Sequence, residues 1–392
     1  MIRKVRFSNF YSFPDEQEIS FLAKKKEGYD YFQSDSGDQV TKIASFIGKN
    51  ASGKTNVMRF FSFLSYFVCK SSKDETVINP DVAFKTFFSN DKPSDFYIEF
   101  QSVNQIFYYS CTIEKNIIKK EELRVKKMTP YAKETEVFTR KPNNAIELNK
   151  TFFDTFPQKF LSKIRPDISI VAFLKSHYDI DTINEIYNYF AGFKTNINEK
   201  GAINHMGHQF QALELYLKDE ELKKEMEQFV RDFDLGLSGF EIIKEIKNNT
   251  VTIDVKGIHK TGSKESRLDF DYESRGTRSL FFALGNILSS LKNNNVIIID
   301  EFESGFHPEA LNKLISYFID RNERGSAQLL FSSHSLDFMN KLDMHQTYLV
   351  DKDDRCKSFL YRLNEVENIR SDENFLAKYM TGAYGSFPKI RV

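Results

Sequence analysis

The apolar run Ile43-Ala44-Ser45-Phe46-Ile47 leads directly into Gly48-Lys49-Asn50-Ala51-Ser52-Gly53-Lys54-Thr55. A run this short and unbroken reads as a strand buried on both faces. Past the glycines, Val57, Phe61, Leu64 and Val68 recur at helical spacing and share one face. Strand, glycine loop and helix in that order commit the chain to an α/β fold built on a mostly parallel sheet. The spacing G-x-x-x-x-G-K-[ST] is also that of a phosphate-binding loop, whose tight turns aim backbone N–H groups at phosphate oxygens. Gly48, Asn50, Ser52, Gly53 and Asn56 then surround the phosphates. Lys54 reaches the β- and γ-phosphates, and the Thr55 hydroxyl ligates Mg²⁺. A glycine-rich turn that matches by chance is the competing reading, and the flanking strand and helix argue against it.

The run Val296-Ile297-Ile298-Ile299 ends in Asp300-Glu301. Acidic strand ends are common in α/β cores, so this motif gains meaning only beside a phosphate loop. In that pairing Asp300 is placed to hold Mg²⁺ indirectly, through the ion's own ligands, and Glu301 to polarise an attacking water. An exposed charge at a strand end is the alternative for Glu301. Both halves of the chain must fold together, because the loop at Gly48 and the carboxylate of Asp300 have to meet at one ion.

Upstream of that strand lies Glu273-Ser274-Arg275-Gly276-Thr277-Arg278, and downstream Glu303-Ser304-Gly305-Phe306-His307-Pro308. The strand Gln328-Leu329-Leu330-Phe331 then ends in Ser332-Ser333-His334. This order resembles the head of ABC ATPases: phosphate loop, serine–glycine signature, acidic strand, D-loop, switch histidine. The resemblance implies ATP and Mg²⁺ as ligands. It implies that Ser274 and Gly276 meet the γ-phosphate of ATP held by a second protomer, and that His334 meets it in its own; Arg275, though a departure from the family pattern, can face a phosphate as a cation. Glu301 and His334 are the expected catalytic residues. The signature departs from the usual Leu-Ser-Gly-Gly-Gln at Glu273, Arg275 and Thr277, and a helix N-cap alone would also explain Ser274. No glutamine loop can be assigned, since Gln101 and Gln105 fall in strand-like segments.

The ends of the chain narrow the family. Phe7-Ser8-Asn9-Phe10-Tyr11-Ser12-Phe13 and Tyr379-Met380-Thr381-Gly382-Ala383-Tyr384-Gly385-Ser386-Phe387-Pro388 look like those of stand-alone ABC-type ATPases in bacterial defence and abortive-infection operons. These AAA-family relatives of the SMC, RecF and OLD heads include the ATPase of the PARIS anti-phage system and RloA-like proteins. The resemblance implies a homodimer or higher homo-oligomer that senses a phage-derived trigger. It also implies control of a separately encoded, nuclease-like effector, as in toxin–antitoxin pairs. A RecF- or SMC-like DNA-binding ATPase of repair or chromosome maintenance is the alternative.

Between and around the motifs the pattern divides the chain into residues 1–150, 151–236 and 237–392. The first part adds strands from Val5 to Phe13, at Ile19 to Leu22, and an antiparallel meander through Phe96–Phe100 and Phe107–Ile113. From Phe152 to Phe233 the spacing is helical without sustained heptads, which reads as a compact helical insertion. Strands return at Phe240 to Ile246 and Thr250 to Val255, with Asn248-Asn249 as the turn.

Lys plus Arg equals Asp plus Glu at 55 each, so no basic excess marks a nucleic-acid grip, although a local patch is not excluded by a neutral total. Lys24-Lys25-Lys26 and Lys126-Lys127 read as solvated faces. His205 and His208 have metal-like spacing with no further ligands beside them. Asp351-Lys352-Asp353-Asp354 contains the Asp-x-Asp of a Toprim centre, for which a solvated hairpin turn is the simpler account. Scattered Cys69, Cys111 and Cys356, a polar start and the lack of a long apolar stretch fit a reduced cytoplasmic protein without membrane spans.

Overall fold

The computed structural model describes all residues except 24–29, 73–83, 130, 155, 199–204, 233–235, 248–249, 337 and 386–392. Its centre is a six-stranded sheet ordered Lys194–Thr195, Val296–Ile299, Gln328–Ser333, Ile43–Ile47, Thr347–Lys352, Ser358–Arg362. Every pairing in it is parallel except the last, which is a hairpin. Such a sheet has to be covered on both faces, and strand alternation assigns the residues. Ala44, Phe46, Val296, Ile298 and Leu330 enter one apolar cluster, while Ile43, Ile297, Ile299, Leu329 and Phe331 enter another.

The first cluster holds helix Lys54–Lys70 between the parallel sheet and a seven-stranded sheet. That second sheet has antiparallel pairings and runs Ile146–Leu148, Thr135–Arg140, Ile117–Lys127, Gln105–Glu114, Ser94–Ser102, Ile2–Phe7, Gln17–Ser20. Phenylalanines dominate the packing here, with the rings of Phe7 and Phe60 stacked at 4.6 Å and those of Phe63 and Phe96 tilted against each other at 5.1 Å. Each such pair contributes about 0.5–1.5 kcal/mol beyond its buried area. The first strand stops at Phe7, short of the extent to Phe13 expected from sequence. Asn9 and Tyr11 adopt positive φ and a Phe10–Phe13 bridge closes a tight turn.

The stretch 151–236 is not one compact body. Helices Ile170–His177 and Asp181–Ala191 pack on Lys54–Lys70 in the first cluster. Helices His205–Lys218 and Glu220–Asp232 pack on helix Arg275–Asn293 in the second. Between the two pairs, Lys194–Thr195 joins the edge of the parallel sheet. Amphipathic spacing reports that a helix has a buried face, not which surface receives it, so the division was invisible in the pattern. Buried Glu121 fastens the first pair to the antiparallel sheet, accepting from Ser169 Oγ at 2.9 Å and from the Ile170 N–H at 3.0 Å.

Strands Leu237–Lys247, Thr250–Thr261 and Lys264–Asp269 form a separate antiparallel sheet. The turn expected at Asn248-Asn249 lies outside the described residues, as do Lys24-Lys25-Lys26 and Ser386-Phe387-Pro388. The tail before that point packs in a third cluster, where Phe375, Tyr379 and Tyr384 meet Ile47, Leu349 and Leu363. No helix among the described residues is long and apolar enough to cross a membrane.

Candidate functional site

The phosphate loop leaves the centre of the sheet at Ile47 and returns into helix Lys54–Lys70. Gly48 runs so close to the next strand that a Cβ would sit 2.1 Å from the Val350 carbonyl oxygen. Gly53 has φ +117° and caps the helix without any side-chain bond, so the N–H groups of Lys54 and Thr55 stay open for an anion, while that of Asn56 donates to the Gly53 carbonyl at 2.9 Å. The loop borders a cleft of about 400 Å³ lined by Asn50, Ser52, Gly53, Lys54, Thr55 and Asn56. Asp300, Glu301, Ser332 and His334 line the same cleft, together with Ala51 and Lys352. Residues separated by some 250 positions in sequence thus meet because their strands are neighbours in one parallel sheet.

Lys54 Nζ donates to the Gly48 and Lys49 carbonyls at 2.7 and 3.0 Å and lies 3.1 Å from His334 Nδ1. Burial pushes its ammonium down to about 8, against the pull of Glu303, Asp300 and Glu301. Burial, reinforced by Lys54, holds His334 below the usual histidine range. The imidazole is therefore neutral near pH 7, accepts from Lys54 at Nδ1 and carries its proton on Nε2. Its own backbone N–H donates to Glu303 Oε1 at 2.6 Å, which ties His334 to the segment just after the acidic strand.

Behind the two carboxylates stands a residue that the motif reading did not single out. Ser332 Oγ donates to Asp300 Oδ1 at 2.5 Å and accepts from the Glu301 N–H at 2.9 Å. Glu301 has φ +51°, a left-handed conformation that a non-glycine residue holds only when its surroundings enforce it. Asn196, one residue past the edge strand, brackets Asp300 from the other side. Its Oδ1 accepts from the Asp300 N–H and its Nδ2 donates to the Asp300 carbonyl, both at 2.8 Å. Ser12 and Ser358 brace the loop: Ser358 Oγ donates to the Ser52 carbonyl at 2.6 Å, and Asn56 Nδ2 donates to Ser12 Oγ at 2.8 Å.

Ser274, Arg275 and Gly276 do not line this cleft. Ser274 caps helix Arg275–Asn293, accepting from the Thr277 N–H at 3.1 Å, and Arg275 donates to Ser304 Oγ at 3.0 Å. Gly276 lies against Gly305 of the D-loop. Glu273 is buried and bonds His259 Nε2 at 2.7 Å, so the start of helix Arg275–Asn293 is anchored to the three-stranded sheet. Gln101 and Gln105 both lie in the antiparallel sheet, away from the cleft. Asp351 is paired with Lys49 at 2.7 Å, and Asp353 organises the hairpin turn by accepting from the Arg355 and Lys357 N–H groups. The side chains of His205 and His208 lie outside the described ones, and among described residues no cluster of metal-ligating side chains occurs.

The donors suit a hard cation. Asp300 keeps one carboxylate oxygen unused by Ser332, and the Thr55 hydroxyl in the same cleft has no hydrogen bond among the described residues.

An "ATP/GTP phosphatase" of Helicobacter pylori (strain ATCC 700392 / 26695) is 23% identical over 380 residues, which cover 89% of this chain and 91% of that protein. An SMC head solved bound to the C-winged-helix domain of ScpA matches with a TM-score of 0.51 at 11% identity, covering 94% of this chain and 99% of that one. The SMC head domain from Thermotoga maritima gives 0.43 at 13% identity, over 92% and 98% of the two chains. The ScpA-bound head shows the fold, that of an SMC-like ABC ATPase head. Residues 43–340, well over half of the chain, match the family described as "AAA domain, putative AbiEii toxin, Type IV TA system", and the protein belongs to that AAA-domain family.

Proposed function

We propose that the protein hydrolyses ATP with Mg²⁺ in the phosphate-loop cleft, and that two heads complete each other's sites. The observation that carries this reading is the meeting of Lys54, Thr55, Asp300, Glu301 and His334 around one cleft of nucleotide size. Lys54 and the first-turn N–H groups would bind the phosphates, and Thr55 and Asp300 would hold the ion. When bound, that ion would neutralise charge on the β- and γ-phosphates. Glu301 would orient and polarise the attacking water, and Asp300, Ser332 and Asn196 would fix its position. His334 would donate from Nε2 to the γ-phosphate. Ser274 and Gly276 lie outside the cleft, at the start of helix Arg275–Asn293, a placement that supports their action on a partner's nucleotide.

The biological role we infer is anti-phage defence, as sensor and regulator of a separately encoded, nuclease-like effector. Support comes from the resemblance of both chain ends to defence ATPases and from the family's description as a putative toxin of a type IV system. A RecF- or SMC-like role in DNA maintenance is the alternative, and the balance of 55 basic and 55 acidic residues gives it no electrostatic help. The test deletes the gene encoded beside this one and measures phage protection. Loss of protection, with co-purification of the neighbouring product, supports the effector reading. Undiminished protection, or strong stimulation of ATP turnover by DNA that resists salt, would favour the alternative.

A further inference from the structure

A second cavity of about 450 Å³ lies on the other side of the Asp300–Glu301 turn. Its roof is helix Arg275–Asn293 and its floor is formed by strands Lys194–Thr195 and Val296–Ile299. The walls are apolar at Phe282, Ala283, Phe306 and Ile297. Polar side chains converge on it without partners. Lys194 and Asn286 make no side-chain hydrogen bond or ion pair among the described residues, and Arg278 has a buried Nε with no acceptor. Arg275 commits one nitrogen to Ser304 and also borders the space. The carboxylate of Asp300 is held toward Ser332 and the phosphate-loop cleft.

Unpaired cations in a half-enclosed space are costly unless something supplies charge. For Lys194 burial lowers the ammonium pKa and no acid opposes the shift. An anion between Lys194 and Arg278 would supply charge-assisted hydrogen bonds to both. The two phenylalanines offer flat apolar walls for a ring, and the Asn286 carboxamide offers both a donor and an acceptor to a ring edge. A volume near 450 Å³ suits a small molecule rather than a chain segment.

We propose that this cavity is a second ligand site, for a phosphate carried on a flat heterocycle, the nucleoside monophosphate class, whose occupancy alters the rate of hydrolysis next door. The coupling follows from the walls. Asp300 and Glu301 border both spaces, and the roof helix begins with Ser274 as its cap and Gly276 in its first turn. A ligand wedged between roof and floor fixes the distance from signature to sheet. The effect on turnover rests on the phosphate-loop reading, but binding at the second site does not.

The chain contains no Trp, so Phe282→Trp makes a fluorescence reporter of this cavity alone. AMP, GMP, CMP and UMP are titrated into Phe282→Trp carrying Lys54→Ala to disable the phosphate loop, and again with Lys194→Ala and Asn286→Leu added. ATP binding to the Lys54-intact and Lys54→Ala proteins is measured separately and reports on the phosphate loop. The expected result is saturable quenching by at least one monophosphate in the Lys54→Ala background. Its affinity should fall about tenfold or more on removing Lys194 and Asn286, as loss of a charge-assisted contact implies. That ligand should shift ATP turnover of the otherwise native chain by several-fold and leave the Lys194→Ala, Asn286→Leu chain unmoved. Lack of saturable quenching by all four compounds, equal affinity after the cavity substitutions, or binding without any change in turnover would each overturn the proposal. Lys194 and Asn286 make no side-chain hydrogen bond or ion pair among the described residues, so neither substitution removes one, and circular dichroism checks the fold of each variant.

Discussion

Replacing Ser332 by Ala removes one oxygen and breaks two bonds at once. The Asp300 carboxylate loses a 2.5 Å donor and the Glu301 N–H loses a 2.9 Å acceptor. A hydrogen bond to a charged group contributes about 1.5–3 kcal/mol and a neutral one about 0.5–1.5. Glu301 at φ +51° stores about 1–3 kcal/mol of backbone strain that these contacts restrain. If half of that total reaches the transition state, kcat falls on the order of 10- to 500-fold. Ser332 touches neither the phosphate loop nor Lys54 by hydrogen bond, so nucleotide affinity without Mg²⁺ should change less than about threefold. The assay pairs steady-state phosphate release with equilibrium binding of a fluorescent ATP analogue, and circular dichroism checks the fold. A Ser332→Ala chain with native kcat would refute the positioning argument. Equal losses in affinity and kcat would point to general damage instead.

Two further outcomes follow from the same geometry. Lys54 sits near 8 in the nucleotide-free cleft, and an anionic ligand must raise that value, so binding takes up a proton as pH passes above about 8. ATP affinity should be level below pH 7 and fall by up to tenfold per pH unit above about 8. A chain whose affinity stays flat to pH 9.5 would show that the ammonium is not titrating there. In the second experiment, Lys54→Ala chains are mixed with Ser274→Arg chains, each inactive alone. A mixed dimer restores one intact composite site, so part of the native phosphate release should return. No recovery after verified subunit exchange would count against action of the signature on a partner's nucleotide.

What could be read from sequence, and what could not, divides by the range of the interaction. The loop from Gly48 to Thr55 and the carboxylates Asp300 and Glu301 announce themselves because local spacing dictates their geometry, and the parallel sheet then brings them together. Ser332 stands two residues before His334, yet nothing in the sequence marks it as a support for the two carboxylates. Its role depends on the pairing of Gln328–Ser333 with Val296–Ile299, and a serine at a strand end carries no signal of its own. Asn196 was hidden more deeply, after a two-residue edge strand inside a stretch that otherwise reads as helix. Ser12 and Ser358 brace the loop from opposite ends of the chain. The helices of 151–236 were legible as helices, but their split between two cores was not, because each apolar stripe fits either face of the sheet equally well.

The central claim is hydrolysis of ATP by the carboxylate of Glu301. Glu301→Gln keeps the size and backbone geometry of the side chain and removes only the charge that would polarise water. Phosphate release in a single-turnover experiment, with ATP binding measured on the same preparation, tests it most directly. The predicted result is native ATP affinity with phosphate release reduced by about a hundredfold or more. Near-native release from a chain that still binds ATP would contradict the account.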